Sequence, residues 1–280
     1  MNNEERTYLV SACKWADKVI TDTPYTPSLE LLDKVGADFA AHGDDMAVDE
    51  SGVDCYSEIK KANRMRVFKR TEGVSTTDLI GRLLTIGLSR LGLEDESSSI
   101  YKPISSKFLT TGWRLKEFCN DKIPKQGDRV VYIDGVFDLL HPGIINALEL
   151  AKAKGDFLYV GVYDNETCTQ VYGRFSPVLS LQERVCNLLS LKFVDDVVIG
   201  APRKITEDMI KSLGITKIIV DESMIVSTLV GKEDPYEIPK QQSIMETIKA
   251  SSALNNDFLI SRIMERKDEY ITKYKKKHIS

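Results

Sequence analysis

The chain has 280 residues, of which 42% are hydrophobic and 29% charged, with a formal net charge of −4. This length and composition suit one large domain or two medium ones, and the charge offers no overall basic field for nucleic acid. The five cysteines, Cys13, Cys55, Cys119, Cys168 and Cys186, are scattered without a C-x-x-C, which argues against a disulfide framework or a zinc site and fits a reducing compartment.

No apolar run is long enough to span a membrane, and Met1–Arg6 does not read as a signal peptide, so a cytoplasmic location is expected. In chain order, the first segment reads as helix, strand, helix, strand. Its strand Phe39–Ala41 ends on His42-Gly43-Asp44-Asp45, and strand ends of this kind line ligand crevices in open α/β sheets. Arg70-Thr71-Glu72-Gly73-Val74-Ser75-Thr76-Thr77-Asp78 then precedes an amphipathic helix, Leu79–Leu91. An Arg, a Gly turn and the Ser75, Thr76 and Thr77 hydroxyls make either a helix cap or an anion nest. Residues 91–127 read as a linker, holding Glu94-Asp-Glu-Ser-Ser-Ser99 and Lys122-Ile-Pro-Lys-Gln-Gly127, with a stretch at 108–118 that suits docking on a domain.

At 130–144 a β-rich run turns into Asp134-Gly135-Val136-Phe137-Asp138, followed by Leu139-Leu140-His141-Pro142-Gly143-Ile144. Gly135 allows a sharp turn and close backbone approach. Pro142 suits the first helical turn, and Gly143 admits a phosphate near the helix start. His141 is placed to donate to a phosphate oxygen as charge builds on it; a helix cap is its plainer role. A second strand follows at Phe157–Tyr163. Leu181–Leu191 then reads as helix, Asp196–Ile199 as strand and residues 206–212 as a helix capped by Thr206 and ended by Gly214. Lys217–Val220 is the next strand. Such alternation predicts parallel strands joined by right-handed crossovers.

The chain repeats itself. Placing Glu5 on Glu183, an offset of 178, aligns Arg6 with Arg184, Lys14 with Lys192, Asp17 with Asp195, Val19 with Val197, Pro24 with Pro202 and Gly36 with Gly214. Chance would give roughly two identities over residues 5–42. The predicted architecture is therefore α/β, with two tandem Rossmann-like, doubly wound domains: 1–90, then the linker, then 128–280. The counterpart of the 128–182 stretch would fall before residue 1, so the first domain is expected to be truncated at its N-terminus.

These residues resemble the cytidylyltransferase family with tandem catalytic-type domains, and its ethanolamine-phosphate members over the single-domain choline ones. The family marks are Gly-x-Phe-Asp, His-x-Gly-His, a later Glu-Arg and Arg-Thr-x-Gly-(Ile/Val)-Ser-Thr-Thr. This chain carries them at Tyr132–Gly143, at Glu183-Arg184, at Glu5-Arg6 and at Arg70–Thr77, and also holds Asp234-Pro-Tyr-Glu-Ile-Pro-Lys240. The resemblance implies attack of phosphoethanolamine on CTP with Mg²⁺ present, giving CDP-ethanolamine and pyrophosphate for phosphatidylethanolamine synthesis. His141 and Arg184 would be catalytic. The nucleotide would meet Gly135, Val136, Phe137, Asp138, Gly143, Ile144, Val220, Asp221, Ser252, Asn255 and Asn256 in the second copy. In the first copy the phosphates would meet His42, Gly43, Arg70, Thr71, Gly73, Ser75, Thr76 and Thr77.

Three departures stand out. Ile144 replaces the second His, Val220-Asp221 stands where the first copy has His42-Gly43, and Asn255-Asn256 replaces the Thr pair. They leave a second reading open, a catalytically impaired nucleotide-binding or scaffold module; another nucleotidyltransferase of the same fold is a third. An aromatic cation pocket is conceivable, with Tyr163 and Tyr172 as candidates. The basic tail, Lys273–His278, suits a solvated helix end or a weak contact with the endoplasmic reticulum surface. A homodimer is a further expectation.

Overall fold

The computed structural model describes residues 1–69, 76–90, 112–120, 122–172, 177–222, 233–250 and 256–278. The first repeat opens with α1 (Asn3–Ala12), fastened by a capping box: Asn2 Oδ1 accepts from the Glu5 N–H, and Glu5 Oε2 from the Asn2 N–H, each at 2.8 Å. Then come α2 (Leu29–Val35), β1 (Ala40–Gly43), α3 (Ser57–Lys61), β2 (Met65–Phe68), parallel to β1, and α4 (Thr76–Arg90). The predicted helix at Leu79 thus starts three residues earlier, at Thr76. Next is α5 (Gly112–Phe118), whose Leu115 and Phe118 pack against the main core, with Phe118 meeting the Trp15 ring edge-on at 5.2 Å.

The second repeat runs β3 (Val130–Gly135), α6 (Pro142–Lys152), β4 (Phe157–Val162), α7 (Asn165–Tyr172), α8 (Leu181–Leu189) and β5 (Asp196–Ile199). It continues with α9 (Glu207–Leu213), β6 (Ile215–Asp221), α10 (Glu237–Gln241), β7 (Met245–Ile248), α11 (Asn256–Met264) and α12 (Lys267–His278). Thr206 caps α9, accepting from the Met209 N–H at 3.2 Å. Gly214 ends it at φ +63°, a left-handed conformation that costs glycine little.

The five strands of the second repeat are all parallel, in the order β5-β4-β3-β6-β7. Every residue of the central strand β3 is buried, which explains its continuous apolar reading. Strand period then divides the core. Val131 and Ile133 join α6 and α8 through Ile145, Leu148, Val185 and Leu188. Val130 and Tyr132 face the other way, onto Ile205, Ile210 and Tyr236. The chain leaves β3 toward β4 and β5 on one side and returns to β6 on the other. The order therefore switches between β3 and β6, and in open α/β sheets the crevice that takes ligands lies beyond the C-terminal strand ends at such a switch.

The repeats match feature by feature. The Asn2–Glu5 capping box recurs as Ser180–Glu183. The Asp54 carboxylate, bound by the Tyr56 N–H and Lys60, recurs as Asp234, bound by the Tyr236 N–H and Lys240. Equivalent positions also meet. Cys13 and Leu191 form an antiparallel bridge, the Lys14 N–H donates to Ser190 O at 2.8 Å, and the Lys192 N–H donates to Ala12 O at 3.0 Å. A local pseudo-twofold axis relates the two repeats here, as in an isologous dimer interface.

Candidate active site

The crevice wall begins where β3 ends. Gly135 and Val136 lead into Phe137, whose φ of +47° is rare for a side chain with a Cβ; strain of this kind gathers at binding sites. The strain is held from three directions. Phe137 is buried, Val136 O accepts from Arg184 Nη1 at 2.8 Å, and Asp138 is clasped. Its two carboxylate oxygens take the Val178 and Leu179 N–H groups, both at 2.8 Å, and the Asn256 amide at 3.1 Å. Burial pushes the Asp138 pKa up, and these donors oppose the rise.

His141 stands at the N-cap of α6, yet its side chain makes no capping bond and its Nδ1 has no partner although it is buried. The plain role of a cap is therefore excluded. Burial drives its pKa down to about 4, so at neutral pH the ring is an uncharged imidazole that can donate one hydrogen bond and accept another. Pro142 follows at the first helical position, as expected. Gly143 is buried in the same turn. Ile144 lies in the apolar core cluster beneath α6, where an alkyl group fits and offers a phosphate nothing.

Arg184 sits apart from solvent, at 0% exposure. Its Nη1 donates to Val136 O and Tyr163 O, and its Nη2 to Asn165 Oδ1, all at 2.8 Å. The guanidinium thus braces the ends of β3 and β4. Across the crevice, Val220 and Asp221 close β6. Val220 packs in the second core cluster, and the buried Asp221 accepts from the Ala250 N–H at 3.2 Å.

In the first repeat, His42 and Gly43 end β1. The His42 Nδ1 lies 2.9 Å from Gly43 O, and its ring lies 4.9 Å from that of Tyr56. Thr76 and Thr77 open α4. Arg70, Thr71, Gly73, Ser75, Ser252 and Asn255 lie outside the described residues, as does the side chain of Tyr172.

A second constellation escaped the sequence reading except for Tyr163. Asp134, 3% exposed, accepts from the Tyr236 hydroxyl at 2.8 Å, while its Oδ2 has no partner. The buried hydroxyls of Tyr132 and Tyr163 also lack partners. Both phenols are pushed well above their ordinary pKa, first by burial and then by the Asp134 charge. Burial raises Asp134 itself to about 6, against the pull of the Tyr236 hydrogen bond and of the nearby Tyr163 hydroxyl, which lies outside hydrogen-bonding geometry. Gly161 makes room here, since a Cβ on it would fall 2.0 Å from the Tyr132 hydroxyl oxygen. A signal existed: Asp54-x-Tyr56 and Asp234-x-Tyr236 recur, yet nothing local ties Tyr236 to Asp134.

A parallel sheet with its switch point at β3 and β6, a strained turn and an uncapped imidazole define the crevice of a nucleotidyltransferase-type fold. The cytidylyltransferase-like family profile matches residues 1–82 and 132–271. Ethanolamine-phosphate cytidylyltransferase of Dictyostelium discoideum is 38% identical over 99% of this chain and 81% of its own length. The enzymes of that name from Arabidopsis thaliana (34% identical, 99% of this chain, 72% of the relative) and Mus musculus (33%, 98% and 76%) are also similar. The chain belongs to the cytidylyltransferase-like family, among its tandem ethanolamine-phosphate cytidylyltransferases.

Proposed function

We propose that this chain transfers a cytidylyl group from CTP to phosphoethanolamine, giving CDP-ethanolamine and pyrophosphate. The observation that carries the reading is the alignment of relatives so named along nearly the whole chain, through both repeats. The second-repeat crevice supplies the nucleotide site. A phosphate oxygen of phosphoethanolamine bonds to the α-phosphorus of CTP, the bond from that phosphorus to the bridging oxygen breaks, and pyrophosphate leaves with the electron pair. The nucleophile is already an anion, so no proton need be removed. Catalysis rests on positioning and on charge stabilisation.

Within this scheme the neutral His141 donates to the triphosphate as the leaving group gains charge. Gly135, Val136 and Phe137 line the nucleotide, and Gly143 lets a phosphate approach the start of α6. Arg184 acts through the main chain it braces. The first-repeat residues Thr76 and Thr77 close the loop that grips phosphate.

The substrate amine is assigned to the tyrosine cluster around Asp134. A primary ammonium has three N–H donors, and three buried acceptors await partners: Asp134 Oδ2 and the hydroxyl oxygens of Tyr132 and Tyr163. A quaternary ammonium has no N–H and would leave all three unpaired, which favours ethanolamine over choline.

Mg²⁺ commonly binds through one or two carboxylates and substrate phosphates. Among the described residues no group of three or more potential ligands forms a metal cage. In this reading the triphosphate would hold most of the ion, and Asp221, at the end of β6, would supply a protein carboxylate. The ion would neutralise charge on the phosphates, and without it Asp221 would repel them.

This reading carries a cytoplasmic enzyme with peripheral contact at the endoplasmic reticulum and a homodimeric state, to be checked by fractionation and sedimentation. Among the described residues no helix is long and apolar enough to cross a membrane. The deciding experiment is a CTP-dependent product assay with phosphoethanolamine and phosphocholine in parallel. CDP-ethanolamine formation well above CDP-choline formation is expected. Binding of CTP without turnover would overturn the enzymatic reading in favour of a scaffold.

A further inference from the structure

We propose that Arg82, a residue of the first repeat, is a positioning residue for the nucleotide site of the second. The inference rests on the reading of the β3–α6 turn as that site. Arg82 lies on α4 and crosses the repeat interface with a forked contact: Nη1 reaches Glu183 Oε2 at 2.9 Å and Nη2 reaches Oε1 at 3.2 Å. Both side chains are largely buried, at 17% and 10% exposure. Nη1 also leans on Val178 O at 3.4 Å. One guanidinium thus holds both ends of the short segment from Val178 to Glu183.

That segment governs the turn. The Val178 and Leu179 N–H groups clasp Asp138, and Arg184, next after Glu183, braces Val136 O. Glu183 cannot swing freely, because its carboxylate also accepts from the Ser180 N–H at 2.8 Å. Leu83 and Ile86 of α4 share an apolar cluster with Leu139 and Leu179, so packing follows the same route as the ion pair. The strained Phe137 lies between Val136 and Asp138, the two groups this segment restrains.

The pseudo-twofold supplies a built-in control. Arg262 on α11 makes the mirror contact with Glu5, at 3.0 and 2.9 Å. There the next residue, Arg6, is exposed, and among the described residues its side chain donates only to Asn3 Oδ1, at 3.2 Å, so this pair leads to no brace. Two similar ion pairs join the repeats, and one of them continues into the site.

The test compares Arg82→Gln, Arg82→Lys and Arg262→Gln in the full chain. Three readouts are taken: thermal midpoint, amide hydrogen exchange of residues 135–141, and calorimetric titration with CTP. Both Gln variants should lower the midpoint by similar amounts. Only Arg82→Gln should speed exchange at 135–141 and weaken CTP binding, each about tenfold, with Arg82→Lys in between. Should Arg82→Gln fail to fold, Glu183→Gln, which can still cap α8, carries the same comparison. Exchange at 135–141 equal to that of the unmodified chain overturns the proposal, as does an equal effect of Arg262→Gln. If the unmodified chain fails to bind CTP, the nucleotide reading fails, while the exchange comparison still decides the role of Arg82.

Discussion

The Tyr236 hydroxyl donates to Asp134 Oδ1 at 2.8 Å across 102 residues of sequence, and leaves Oδ2 of the same carboxylate unpartnered. A buried, half-satisfied carboxylate costs stability in the empty protein and becomes useful when a cation arrives. The pair ties the motif before α10 to the central strand and bears on the charge of Asp134.

Tyr236→Phe removes that donor. The carboxylate then rises above its present value of about 6, and the Michaelis constant for phosphoethanolamine should rise about tenfold with a smaller change in kcat. Steady-state kinetics across pH checks this: the acid limb of kcat/KM should move to higher pH.

Asp134→Asn separates stability from function. The folded pKa of about 6 lies above the ordinary 3.8, so the group's contribution to stability is full below about pH 4 and is lost as pH rises through 6. At pH 7.5 the Asn variant should be more stable than the parent by about 3 kcal/mol, with no advantage at pH 3. Denaturant melts at both values test the sign. The same variant should lose phosphoethanolamine turnover.

His141→Gln should lower kcat by about 10²–10³, the loss of one oriented donor to developing charge. The linkage sign here is opposite to that of Asp134. The His141 pKa falls from 6.5 to about 4 on folding, so its contribution to stability is full above 6.5 and is lost as pH falls toward 4. The parent should therefore lose stability over this window, and the Gln variant should lose less. Thermal melts against pH decide it.

Ile144→His would restore His-x-Gly-His. It places a polar ring in the core cluster, at an expected cost of about 1–3 kcal/mol. The gain should be tenfold or more in turnover at the second-repeat site if a second phosphate donor is what the site lacks. A product assay beside a melt separates the two effects. Lower stability with unchanged turnover would show that Ile144 serves packing alone.

Much of this molecule can be read locally. The Asp134–Ile144 run, the Thr206 cap, the Gly214 stop and the buried strand β3 follow from neighbours a few residues apart. The repeat is visible because the same cap, glycine and strand pattern recurs at one offset. The Glu-Arg motif is visible in the sequence, but what Arg184 touches is not: it donates to the Val136 and Tyr163 main-chain oxygens and to Asn165 Oδ1. The main-chain acceptors belong to the ends of two strands, and a linear pattern does not specify which strand end an arginine reaches.

The alternation of elements, the tandem repeat and the β3–α6 turn are determined by sequence alone, because periodicity and turn chemistry act within a few residues. Tertiary structure decided the rest. Tyr132, Tyr163 and Tyr236 gather around Asp134 only because the parallel strands β3 and β4 and the turn before α10 come together. Arg82 meets Glu183, 101 residues away, only because the repeats face each other about a pseudo-twofold. The run at 130–144 therefore specifies a strand, a turn and a helix start, while its partners are chosen by the packing of whole elements around it.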